Sequence, residues 1–326
     1  MQAVLCRDLG TVDQLVVEDV PIPEPGPGQV RIRLFAAGLN FADTLMVAGK
    51  YQLKPQLPFV PGVEGAGVVD ACGANVDGVR EGDRVAAYVP YGAFAEYVVV
   101  DAGRVFQMPD TMSFSEGASF VVAYGTSHHA LRDRGDLQAG ETLLVHGAGG
   151  GVGLTAVEIG RAIGARVIAT AGSQAKLELA REHGASEAIN YASEDIRDRV
   201  KALTDGKGAN VVDDPVGGDV FDASLRAIAW EGRLLIVGFA AGRIPSIPAN
   251  YLLVKNCAAI GVFWGDYADK APHVIQRGMD ELMAWYDEGL LKPHVSFEFP
   301  LAQATQALQT ILERRSTGRV VLTIDA

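Results

Sequence analysis

The segment LLVHGAGGGVGLTAVEIG, residues 143–160, constrains this chain more than any other. It reads as a short apolar strand, a turn built almost wholly of glycine, and a helix. The apolar positions Val152, Ala156, Ile159 and Ile163 recur on one face of that helix. Such a turn lets backbone approach a pyrophosphate closely, and the helix N-terminus behind it offers unpaired N–H groups and a favourable dipole. The strict fingerprint is Ala148-x-Gly150-x-x-Gly153, with alanine at the first glycine position. A glycine motif alone is equally a structural turn; the flanking strand and helix are what favour a cofactor. The predicted dinucleotide cradle is therefore Ala148, Gly150, Gly151, Val152 and Gly153.

The stretch that follows bears on the type of dinucleotide. An NAD site places Asp or Glu about 20 residues further on, to hold the ribose 2′-hydroxyl. Here that stretch is ATAGSQAK, with Ser173 and Lys176 and no carboxylate. A carboxylate would repel a 2′-phosphate, whereas a hydroxyl and an ammonium bind one. NADPH is expected over NADH, against the plain alternative that Lys176 is a solvated helix residue.

Around this segment the Val-rich runs TLLVHG, RVIATAG, EAIN, ANVVDD and RLLIVGF alternate with helix-length amphipathic stretches. Strands alternating with helices imply a parallel sheet covered on both faces, with ligands at the strands' C-terminal ends. VVDDPVGG and LIVGF each end a strand there, so Gly217, Gly238 and Phe239 are cofactor candidates. Residues 1 to about 120 read differently, as the strand-length runs QVRIRLFAAG, GAGVVDAC, DRVAAYV and AFAEYVVVD between Pro/Gly turns. PIPEPGPGQV is too proline-dense for a helix and reads as an extended connector. The tail STGRVVLTIDA reverts to a strand that returns to the first domain. Two domains are expected, 1–122 with 293–326 and 123–292, with a ligand cleft between them.

Composition narrows the function classes. A formal net charge of −12 without a Lys/Arg block argues against general nucleic-acid binding. No apolar run approaches the roughly 18 residues of a membrane span, and MQAVLCRDLG carries no secretion pattern. Cys6, Cys72 and Cys257 are odd in number and far apart, with no disulfide or metal spacing, which fits a reducing cytoplasm.

Together AAGLNFADTLMVAGKYQLKPQLPFVPGVEGAG, HGAGGGVGLTAVEIGRAIGA, ATAGSQAKLELAREHGA, VVDDPVGGDVF and GRLLIVGF give a chain that resembles the medium-chain dehydrogenase/reductase superfamily. Within it, the chain is similar to the zinc-free quinone oxidoreductases of the ζ-crystallin type. The resemblance implies a GroES-like, partly open β-barrel catalytic domain and a Rossmann doubly wound domain. It also implies a homodimer through edge strands, for which CAAIGVF is the candidate. In zinc-dependent members a Cys opens the segment here written NFAD, a His stands at the Val63 position, and another Cys precedes YGTSHHA. Motif alignment puts Asn40, Val63 and Val122 there; none is a thiolate or imidazole, so no catalytic zinc is expected. Glu64 is read as a structural carboxylate. His128 and His129 are adjacent, point to different sides of a helix, and are not expected to bind metal.

Without a Lewis acid, alcohols are hard to oxidise, and acceptors that take hydride with hydrogen-bond assistance fit better: quinones and activated alkenes. Asn40, Asp43 and Tyr51 are the polar candidates, each with a loop hydrogen bond as its plain alternative. Tyr51 lies eleven residues after Asn40, where related enoyl-thioester reductases carry a proposed proton donor. Thr126 and Tyr191 enter as cofactor residues through the resemblance, Tyr191 near the 2′-phosphate. In GVFWGDY, Phe263 and Trp264 are pocket candidates, Phe263 also on the cofactor side; core packing is the alternative for both. The resulting expectation is an NADPH-dependent quinone oxidoreductase. An enoyl-CoA or enone reductase using Tyr51 is the rival enzyme, and an NADPH-binding protein with little turnover is the rival of another class.

Overall fold

Alternation in QVRIRLFAAG sets the first sheet. In the computed structural model, which describes residues 1–325, Val30, Ile32, Leu34 and Ala36 are buried while Arg31, Arg33 and Phe35 are half-exposed. The chain divides into two units, Met1–Val122 with Pro293–Ala326, and Ala123–Lys292. The early strands of the first unit are β1 (Gln2–Leu5), β2 (Val16–Asp19), β3 (Gln29–Gly38), β4 (Glu64–Cys72), β5 (Arg84–Tyr88), β6 (Tyr97–Asp101) and β7 (Val105–Gln107). β3 is the hub, pairing antiparallel with β4 and with β6. Each large aliphatic side chain it buries contributes roughly 1.5–3 kcal/mol. PIPEPGP forms no helix or strand, as its prolines dictate.

The second unit contains β8 (Thr142–Val145), β9 (Arg166–Ala171), β10 (Glu187–Asn190), β11 (Ala209–Asp214), β12 (Ile228–Ile236) and β13 (Ala258–Gly261). They form one parallel sheet in the order β10-β9-β8-β11-β12-β13. This is the doubly wound order that reverses beside its first strand, the place where such sheets bind ligands. β12 begins earlier than the RLLIVGF run because the chain enters it irregularly, with Glu231 in the left-handed region at φ 57°. β13, from CAAIGVF, is an edge strand.

The helix Gly151–Ile163 ends at Gly164, whose φ of 92° closes it in the left-handed conformation. Its burial is wider than the one face read from periodicity. Every residue from Gly153 to Gly160 is buried, whereas Val152 and Ile163 are half-exposed. The reason is polar: Thr155 meets Ser127 at 2.8 Å, and Tyr124 Oη donates to Glu158 Oε2 at 2.5 Å, so the non-sheet side is covered by hydrogen-bonded partners.

The chain then returns to the first unit with β14 (Val295–Pro300) and β15 (Arg319–Thr323). β15 pairs antiparallel with β3, Val321 opposite Gly38 and Thr323 opposite Ala36, giving the path β14-β15-β3-β4-β5-β7 with β6 also on β3. The GRVVL tail therefore completes a sheet begun near residue 29.

One core residue of the second unit is costly. Asp213, on the central strand β11, is fully buried and neither carboxylate oxygen has a hydrogen-bond partner. Burial, then the charge of Asp214, pushes its carboxyl up to about 8. A folded-state value above the unfolded one means the folded chain holds the extra proton, so the contribution of Asp213 to stability is most favourable at low pH and declines as pH rises from about 4 through 8. Asp213→Asn, which cannot ionise, should flatten this slope; urea unfolding midpoints between pH 5 and 9 for both proteins measure it.

Candidate functional site

Two sets of residues stand out, one in each unit. In the second, the glycine turn is sterically obligatory. A Cβ on Gly153 would lie 2.3 Å from the Gly147 carbonyl oxygen, and one on Gly149 would lie 2.6 Å from Lys176 Cβ. Gly147 itself adopts φ 59°. Ala148 is buried and its N–H donates to the Thr170 carbonyl, tying the turn to the end of β9. Gly150 is the N-cap of the helix that starts at Gly151, with half-exposed Val152 behind it.

At the C-terminal end of β9, Ser173 is exposed at the start of the helix Gln174–Glu182. Lys176 packs against Gly149, and the Tyr191 ring lies over Gly172. Ser173, Lys176 and Tyr191 therefore gather beside the glycine turn, and no carboxylate interrupts residues 169–176. On the next strands, Gly217 adopts φ 69° in close approach to Phe239, and its N–H donates to Asp214 Oδ1 at 2.9 Å. Gly238 approaches the Pro215 carbonyl, and Phe239 is partly exposed. Thr126 is half-buried, in the helix Val121–His128. Phe263 is 45% exposed, but the neighbouring Trp264 is only 5% exposed, with its ring over Gly125. Trp264 thus packs against the helix Val121–His128.

In the first unit a buried polar cluster brings together Asn40, Asp43, Glu64 and Arg319. Asn40 caps the helix Phe41–Val47, and its backbone N–H donates to Asp43 Oδ2 at 2.7 Å. Its side-chain Nδ2 donates to Glu64 Oε1 at 2.8 Å. Arg319 Nη1 donates to Asn40 Oδ1 at 3.1 Å, and Arg319 Nη2 contacts Glu64 Oε1. The Val122 N–H completes the set by donating to Glu64 Oε2 at 2.8 Å. Gly38 makes room for it: a Cβ there would meet the Ala118 carbonyl oxygen at 2.0 Å and Glu64 Oε1 at 2.8 Å.

Electrostatics follow from burial. Burial raises the Glu64 carboxyl above its ordinary value, and Arg319, the Val122 N–H and the Asn40 amide oppose that rise. Asp43 is pushed up to about 7 by burial, and Glu64 adds to the rise. Tyr51, half-buried, is pushed up to about 12 by burial, then by Tyr88 and Asp43, so its phenol keeps its proton at neutral pH. The positions aligned with zinc ligands are apolar or occupied: Val63 belongs to the unit's core, Val122 packs against that core, and Asn40 is engaged as described.

Sequence reasoning missed Arg319. The signal was a lone arginine opening an otherwise apolar strand, but its partner Asn40 lies 279 residues away. His128 and His129 hold carboxylates, Glu281 at 2.7 Å and Asp133 at 2.8 Å. Among the described residues, no group of three or more His, Cys, Asp or Glu is arranged to hold a metal. No helix among them is long and apolar enough to cross a membrane.

Comparison with known proteins matches residues 26–110 to the alcohol dehydrogenase GroES-like domain and residues 151–284 to the zinc-binding dehydrogenase family. A quinone oxidoreductase-like protein 2 homolog from Nematostella vectensis is 43% identical over 98% of this chain and 88% of its own length. A quinone oxidoreductase from Pseudomonas aeruginosa is 39% identical over 96% of each. The Escherichia coli quinone oxidoreductase solved in complex with NADPH superposes with a TM-score of 0.93 at 28% identity, over 99% of this chain and 100% of that one.

The cluster itself makes a stability prediction. Arg319→Met strands a buried carboxylate and should cost about 3–5 kcal/mol. Removing both charges, as Glu64→Gln with Arg319→Met, should recover most of that loss. Urea denaturation of the single and double variants tests both statements.

Proposed function

The chain belongs to the medium-chain dehydrogenase/reductase superfamily, in its quinone oxidoreductase branch, and on that footing we propose an NADPH-dependent, zinc-independent quinone reductase. That it is an oxidoreductase follows from the branch; the cofactor, the acceptor and the independence from zinc are the reading offered here. The observation that carries it is the Asn40–Glu64–Arg319 cluster, in which the metal-ligand positions offer an amide and two aliphatics and the nearby carboxylate is already tied to a guanidinium. This donor set does not fit zinc, which takes thiolate, imidazole or free carboxylate.

The residues do fit NADPH. The turn at Gly147–Gly153 packs the helix backbone closely against the strand's end, where a Cβ on Gly153 would collide with the Gly147 carbonyl, as the third glycine of a dinucleotide fingerprint requires. Ser173, Lys176 and Tyr191 supply donors without an opposing carboxylate, as a 2′-phosphate requires, and the E. coli relative was solved with this cofactor. When bound, NADPH supplies the hydride. Asn40 offers an amide N–H and Tyr51 a protonated phenol to an acceptor oxygen, lowering the cost of the negative charge that develops there.

A second reading, reduction of a 2-enoyl thioester or enone, is favoured by one observation: the half-buried Tyr51 phenol, pushed up to about 12, holds at neutral pH the proton that such a reduction has to deliver. The proposed working form is a homodimer through β13, supported by that strand's edge position and by exposed Trp230, Leu253 and Val254. The free cysteines Cys6, Cys72 and Cys257 support a cytoplasmic setting.

The test is NADPH oxidation by chelator-treated protein with an ortho-quinone and crotonyl-CoA in parallel. Faster turnover of the quinone is expected, with Tyr51→Phe costing less than about tenfold. Preference for the thioester, with turnover abolished in Tyr51→Phe, would move the assignment to enoyl reduction. Tight NADPH binding with neither acceptor turned over would make it a binding protein. Lys176→Ala should weaken NADPH about tenfold or more, the worth of a charge-assisted contact, and leave NADH unchanged. Titration calorimetry with both cofactors reads that difference.

A further inference from the structure

The side-chain amide of Asn40 has both ends committed. Nitrogen and oxygen of such an amide have nearly the same shape, and the terminal torsion is broad and close to two-fold, so hydrogen-bond partners decide which end faces where. Here Oδ1 accepts from Arg319 Nη1 at 3.1 Å, and Nδ2 donates to Glu64 Oε1 at 2.8 Å. A flip would set the NH₂ group against a guanidinium and the carbonyl against a carboxylate, replacing two charge-assisted bonds with two repulsions. Charge-assisted hydrogen bonds disfavour that state by about a hundredfold or more. The backbone is fixed as well, through the Asn40 N–H and Asp43 Oδ2 at 2.7 Å.

We propose that Arg319 is a positioning residue: paired with Glu64 and donating to Asn40, it locks the Asn40 amide so that one N–H, and no rotating carbonyl, is left to meet a ligand oxygen. This rests on the reading of Asn40 as an acceptor-side residue given above. An amide has two N–H donors, and Glu64 uses one of them. The remaining donor selects an acceptor presenting a carbonyl or enolate oxygen, and it strengthens as negative charge grows there. A loosened amide would present its own oxygen for part of the time and repel that charge. The arginine fork matters because Nη1 and Nη2 reach Asn40 and Glu64 at once, which a lysine ammonium on a flexible stem does not reproduce. The guanidinium also holds Glu64 in charge balance, since both side chains are buried, Arg319 at 6% and Glu64 at 0% exposure.

Two measurements test this, one independent of turnover. In ¹⁵N-asparagine-labelled protein, with the Asn40 side-chain pair assigned by its disappearance in Asn40→Asp, the wild-type pair should be well separated and slow to exchange with water. Arg319→Lys should speed that exchange at least about tenfold, by loss of a charge-assisted bond. The combined Glu64→Gln and Arg319→Met variant, which leaves no buried charge unpaired, should do the same while remaining folded. An unchanged Asn40 pair in both variants would overturn the proposal. In turnover with an ortho-quinone, Arg319→Lys should lower kcat/KM about tenfold to a hundredfold, but by less than about twofold when Asn40 is already alanine. Equal losses in the two backgrounds would mean that Arg319 acts without Asn40, which also overturns it. A wild-type protein that turns over no acceptor would sink the functional reading alone, because the exchange measurement still decides whether Arg319 holds the amide.

Discussion

A carboxylate with no solvent exposure must be met by charge and by donors, and Glu64 is met by segments from across the first unit. The cation comes from β15, an amide from the cap of the helix Phe41–Val47, and a backbone N–H from Val122. Satisfying one side chain therefore fixes where β3, β4 and β15 end relative to each other. Gly38 is glycine for the same reason, since any side chain there would collide with Glu64 and the Ala118 carbonyl. The pair is weak evidence for net stability, because two desolvated charges recover little beyond their own cost. Its effect is on geometry: it orients groups around it that would otherwise have several arrangements.

The second unit solves a different problem, packing the backbone of a strand end, a turn and a helix start closely against itself. Gly153 and Gly147 do so by omission of side chains, and Ala148 is tolerated because it is buried against the end of β9. Around this turn the chain tolerates unsatisfied groups. Asp213 has no hydrogen-bond partner for either carboxylate oxygen, and Asp214 satisfies the Val216 and Gly217 N–H groups with one oxygen and leaves the other without a partner. Both lie on the strand that leads into Gly217.

Much of this was readable in the sequence because it is written in local pattern. The glycine run between strand and helix, the two-residue alternation of QVRIRLFAAG and the Val-rich strands spaced by helices each carry their own signal, and the parallel sheet and the fold class follow from them, while the strand order is seen only in the fold. What was not readable depends on distance. Nothing near Asn40 announces an arginine 279 residues later, and nothing in GRVVL says that its arginine faces inward. The helix after the glycine turn misled for a related reason: periodicity reports the sheet-facing side, whereas Thr155 and Glu158 are buried through Ser127 and Tyr124, which hydropathy scores as polar. An aromatic before a glycine, such as Trp264, reads alike in a pocket and in a core.

The placement of β15 has a consequence for biosynthesis. The second unit is a continuous stretch, but the first is assembled from two pieces that flank it. Arg319 follows Asn40 by 279 residues, so at about 5–20 residues per second the ribosome delivers it roughly 14–56 s later. Through that interval the nascent β3–β4 ladder has a free edge where β15 will pair, and Glu64 has no guanidinium. The Rossmann unit can close on its own while the GroES-like unit waits, and the last strand both seals the sheet and neutralises its buried acid.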